Sequence, residues 1–97
     1  MSARIFIPRD SAALSVGAEA VAGAFRVEAA ARGETIEIVR TGSRGMLWLE
    51  PLVEVETPQG RVGYGPVGVQ DVAYLLDAGA LEGGYHILFQ GLVEELD

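Results

Sequence analysis

The sequence predicts a small α/β domain, a mixed sheet with helices packed on it, and three patterns carry the prediction. An apolar run near the N-terminus, Ile5-Phe6-Ile7, precedes a long helical repeat and then an alternating, β-branched segment, Thr35-Ile36-Glu37-Ile38-Val39-Arg40. A second alternating segment turns back on itself through Pro58-Gln59-Gly60. A short helical face closes the series at residues 69–78. Strand, helix and strand in that order make a right-handed crossover between parallel strands. A hairpin added to the same sheet makes it mixed.

Taken in order, Ile5-Phe6-Ile7 shows no alternation, as in a strand covered on both faces, and Pro8 stops it. Asp10 or Ser11 can cap the next element by accepting from a free N–H of its first turn. From Ser11 to Arg32 the residues Leu14, Ala18, Val21, Phe25 and Ala29 recur at helical spacing, with Ser15, Glu19 and Arg26 on the other side. Gly17 and Gly23 are poor helix residues, so at least one is expected to mark a bent start or close packing. Gly33 is a C-terminal stop. Residues 52–65 form the hairpin, with Val53 and Val55 inward and Glu54 and Glu56 outward on one solvent face. Val69, Val72, Leu75 and Leu76 form the second helical face, and Asp71 near its start suits the helix dipole.

Composition narrows the function. The 97 residues are 49% apolar, enough to bury a core. Fourteen acidic residues against seven basic ones, all arginine, give a net charge of −7. That excludes a nucleic-acid binder, which needs a basic face. The absence of cysteine removes disulfides, thiolate metal sites and thiol redox chemistry, and a single histidine removes a multi-histidine metal site. No apolar stretch approaches a membrane span or a signal peptide, so the expected location is the cytoplasm.

Chemistry has few places to sit. Gly63-x-Gly65-x-x-Gly68 matches a dinucleotide spacing, but Pro66 lies inside it and no nucleotide-binding half-domain follows. A tight turn into the second helix is the better account. His86 has no acidic orienting partner nearby in sequence, which points to a structural histidine rather than a general base. Glu54 and Glu56 read as a solvated strand face, since glycosidase-type chemistry needs carboxyls facing across a cleft. The apolar segment Gly45-Met46-Leu47-Trp48-Leu49-Glu50-Pro51 holds the lone tryptophan. It reads as a buried strand or loop, or as an aromatic anchor for a partner, with Arg44 beside it.

The stretch from Thr41 to Val53 resembles the second cluster loop of thioredoxin-like [2Fe–2S] ferredoxin domains. Their pattern there is a glycine, Cys-x3-Cys, two residues, Gly-Pro and a strand. On this sequence the two cysteine positions fall on Ser43 and Leu47. The first pair, anchored by Gly17-Ala18, falls on Pro8 and Ala13. Tyr64, the turn from Pro66 to Gly68, and Asp71-Val72 fit the same pattern. None of the four positions is cysteine.

Within that family the cysteine-free form resembles the N-terminal domain of the flavoprotein (β) subunit of NAD-dependent formate dehydrogenases. The phrases Ile7 to Leu14, Gly42 to Gly45 and Trp48 to Pro58 carry that likeness. The resemblance implies a thioredoxin-like fold of order β-α-β-β-β-α, a four-stranded mixed sheet between helices with one strand antiparallel. It implies a domain at residues 1–84, with 85–97 as a tail or the start of a linker to a flavin and NADH domain. It implies no catalysis and no cofactor in this chain, with FMN, NAD, iron–sulfur clusters and the molybdenum cofactor held elsewhere in an oxidoreductase complex. Partners are then the other domains and subunits, and Arg44, Met46 and Trp48 are the expected interface. The alternative is a free-standing thioredoxin-fold module binding a small molecule or peptide near Ser43–Trp48. An enzyme acting through His86 ranks third.

Overall fold

The computed structural model of the chain describes residues 3–9, 17–42 and 49–93. β1 (Ala3–Pro8) and β2 (Ile36–Thr41) run parallel, with Ile5 opposite Ile38 and Pro8 opposite Thr41. The crossover between them contains helix α1 (Ala18–Ala31). β3 (Val53–Thr57) lies antiparallel on the other side of β1, and the hairpin returns as β4 (Gly60–Tyr64). A 3-10 turn at Val69–Asp71 leads into helix α2 (Val72–Asp77), and a second 3-10 turn spans Ala80–Glu82.

A fifth strand, β5 (Phe89–Leu92), pairs antiparallel with β4. The sheet order is β2-β1-β3-β4-β5. The expected count of four strands is therefore corrected to five, and both β3 and β5 oppose the other three. The extra strand comes from the segment set aside as tail. It is short, carries Gly91 in a left-handed conformation and meets β4 across a register shift, so it shows no alternation in sequence.

One aliphatic row crosses the sheet: Ile38, Ile5, Val55, Val62 and Leu92, each opposite the next. Val21, Ala22 and Phe25 of α1 and Val72 and Leu75 of α2 pack on the face that carries it, so both described helices cover one side. α1 starts at Gly17, whose φ of 97° is the expected bent start. It ends in a Schellman arrangement. Gly33 sits at φ 70° and donates to the Ala30 carbonyl, and Glu34 N–H reaches the Ala29 carbonyl. The expected face of α1 is buried at Ala18, Val21, Phe25 and Ala29, while Leu14 and the capping candidates Asp10 and Ser11 lie outside the described residues.

Two expectations fail. Val69 is half exposed, because residues 69–71 wind as a 3-10 turn and the phase of the helical face starts only at Val72. Glu54 does share a face with Glu56, but it is buried. β3 is an interior strand, and the Arg61 guanidinium folds back over this face. It lies 3.6 Å from the centre of the Phe6 ring and 3.5 Å from the Glu54 carboxylate, covering both. Next to them a row of alternating charge, Glu37, Arg4, Glu56 and Arg61, runs across four strands, with Arg4 paired to both Glu37 and Glu56.

Candidate functional site

The strands that lead into the segments singled out in sequence, the parallel β1 and β2, stop side by side at one end of the sheet. In open α/β sheets, ligand sites collect outside the carboxyl ends of such strands. Pro8 closes β1, is buried, and stands opposite Thr41, whose carbonyl accepts from Arg9 N–H at 2.9 Å. The other expected positions, Ala13, Ser43, Leu47, Arg44, Met46 and Trp48, lie outside the described residues. Their segments, 10–16 and 43–48, follow Arg9 and Gly42, each the single residue past the end of its strand.

What the described residues add at this corner is Arg40. Its Nε donates to the Ile7 carbonyl at 3.1 Å and its Nη2 to the Pro8 carbonyl at 2.9 Å. Its Nη1 lies 2.6 Å from Oε2 of Glu19, in the first turn of α1. Sequence reasoning missed this residue. It lies 33 positions from Ile7, and only the parallel register brings the two together.

The glycine spacing after β4 is a turn and not a phosphate cradle. A cradle needs free backbone N–H groups, and here they are engaged. Gly65 N–H donates to Leu88, Val67 N–H to Pro51, and Gly68 N–H to the Asp71 carboxylate at 2.8 Å. A Cβ on Gly65 would run into the Leu49 carbonyl, which explains that glycine by packing alone. His86 Nδ1 accepts from Leu88 N–H at 3.1 Å, so this ring nitrogen fixes the turn before β5. A groove of about 790 Å³ opens at the opposite end of the sheet, between Arg4, Glu37, Glu56, Gln59 and Glu82. It lies away from the end of the sheet where β1 and β2 close at Pro8 and Thr41.

No family model matches the sequence, and no curated protein matches it. Among solved structures, the fold is similar to the thioredoxin-like [2Fe–2S] ferredoxin from Aquifex aeolicus. A cysteine-to-serine variant of that protein superposes with a TM-score of 0.71 at 25% identity, over 90% of this chain and 96% of that chain. The wild-type protein gives 0.68 at 24% identity over 90% and 94%, and a further structure gives 0.70 at 25% over 90% and 88%. The fold is thioredoxin-like. The sheet, the crossover helix and the hairpin agree with the class expected from sequence.

The cluster named in those relatives does not fit the donor set of this chain. Cluster iron is held by thiolates, and the sequence contains no cysteine. At Pro8 the side chain has no donor atom and the carbonyl is engaged by Arg40. Among the described residues no group of three histidine, aspartate or glutamate side chains is placed to hold a metal ion. Among the same residues no helix is long and apolar enough to cross a membrane.

Proposed function

We propose that this chain is a redox-silent thioredoxin-like domain of the flavoprotein (β) subunit of a cytoplasmic NAD-dependent formate dehydrogenase. In that setting it acts in assembly around the electron-transfer chain and performs no catalysis itself. The observation that carries the reading is a thioredoxin-like fold, similar to that of a [2Fe–2S] ferredoxin, in a chain without a single cysteine. The phrases Ile7 to Leu14 and Trp48 to Pro58, which resemble that subunit, supply the choice of complex. FMN, NAD and the molybdenum cofactor then belong to other domains and subunits. We place any junction with a following domain after β5, a reading supported by the pairing of Phe89–Leu92 with β4.

The test is co-expression of this chain with the flavin- and NADH-binding portion and the formate-oxidising subunit, followed by size exclusion and pull-down. The native chain is expected to co-elute with them. An Arg44→Ala and Trp48→Ala double variant is expected to keep its circular dichroism and bind at least about tenfold more weakly, as loss of an aromatic and arginine anchor does. A native chain that elutes alone overturns the assembly role. Unchanged binding by the double variant overturns the assigned surface.

A further inference from the structure

At the corner where β1 and β2 stop together, the end of β1 is held by its ladder to β2 and not by one to β3. β1 is paired with β3 only at Ile5 and Phe6, so Ile7 and Pro8 extend past that ladder. Pro8 has no N–H to contribute. β2 is an outer strand, and every one of its residues keeps some exposure. The three chain segments that meet here are the end of β1, the end of β2 and the first turn of α1. From them depart residues 10–16 and 43–48.

Arg40 engages all three. It sits on β2, donates to the carbonyls of Ile7 and Pro8 on β1, and pairs with Glu19 on α1. Its side chain is only 18% exposed. A guanidinium is planar, with five donors in a fixed fork, and can serve two carbonyls and a carboxylate at once. Hydrogen bonds from such a cation are roughly twice as strong as those between neutral groups.

We propose that Arg40 is the crosslink of this corner, a positioning residue that fixes the ends of β1 and β2 and the start of α1 relative to one another. The proposal stands whether or not the chain assembles into a dehydrogenase.

The measurement is amide hydrogen exchange on the whole chain, with Arg9 N–H, bonded to the Thr41 carbonyl, as reporter of the corner. Val55 and Val62, in the hairpin ladder, report the rest of the sheet. Arg40→Met keeps the stem and removes every donor. It is expected to speed exchange at Arg9 at least tenfold, about 1.4 kcal/mol of local opening, and to leave Val55 and Val62 unchanged. Arg40→Lys keeps the charge but not the fork, and is expected to leave most of that acceleration in place. Unchanged exchange at Arg9 in the methionine variant overturns the proposal. So does equal acceleration at Val55 and Val62, which marks general destabilisation, and so does full rescue by lysine. Glu19→Gln alters an exposed carboxylate and keeps the fold even where Arg40→Met does not. It is expected to speed Arg9 two- to threefold, and no change there also overturns the crosslink.

Discussion

Tyr64 is fully buried, and its hydroxyl donates to the Gly84 carbonyl at 2.5 Å. Burial pushes the phenol from its ordinary 10 up to about 12. The folded state therefore holds this proton more tightly than the unfolded chain does. The linked stability is complete below pH 10 and is lost as the pH climbs from 10 toward 12, at about 1.4 kcal/mol per pH unit. The chain has no lysine and no cysteine to add their own titration in this window. Urea unfolding followed from about pH 9 to about pH 11.5 is expected to show that decline. Tyr64→Phe is expected to cost about 1 kcal/mol at neutral pH, for the lost hydrogen bond, and to flatten the alkaline slope. Parallel slopes in the two proteins would show that another group supplies the coupling. At this scale the sequence is partly legible. Gly17 and Gly33 announce their left-handed conformations, whereas Gly65 announces only a spacing, and its cause is the Leu49 carbonyl lying against it.

α1 was readable because it is long and one-sided: its apolar positions recur often enough to fix the period, and glycines bracket it. β3 and β4 were readable from alternation and from a two-residue turn, closed by Thr57 Oγ1 on the Gly60 carbonyl at 2.6 Å. Glu54 misled because alternation assigns a face and not its depth, and what covers that face is the Arg61 side chain seven residues away. β5 was not readable, since four residues with a central glycine carry no period. Its place is set by what β4 lacks without it. Phe89 meets the Tyr64 ring edge-on at 5.6 Å, Leu88 accepts from Gly65 N–H, and Gln90 donates to the Gly65 carbonyl. A fragment of residues 1–87 is therefore expected to lose at least about 4 kcal/mol in urea unfolding, the scale of half-buried Leu88, Phe89 and Leu92, buried Val93 and the hydrogen bonds beside them. An unchanged midpoint would make β5 an appendage and favour the domain of residues 1–84.

For the molecule as a whole, the question is what holds a 97-residue chain together when its fold relatives are iron–sulfur proteins. Small domains bury a modest share of their surface, and a structural metal adds its binding free energy directly to folding. This chain draws instead on one aliphatic row across five strands, on two helices that cover it, and on arginine bridges at the margins. Arg32 ties the end of α1 to α2 through Asp77 at 2.8 Å and the Ala73 carbonyl at 3.1 Å, while Arg40 closes the opposite corner. The fold class followed from the sequence because it rests on that row and its periodicity. The bridges did not, because each joins residues that only register or packing brings together. If packing and arginines suffice, iron is irrelevant to stability. The thermal midpoint is then expected to be the same with and without a strong chelator, and chain refolded with ferrous iron and sulfide is expected to show neither visible charge-transfer absorption nor a cluster EPR signal. Stoichiometric iron, together with a chelator-sensitive midpoint, would mean that oxygen and nitrogen donors hold a cluster here, against the preference of such iron for thiolate.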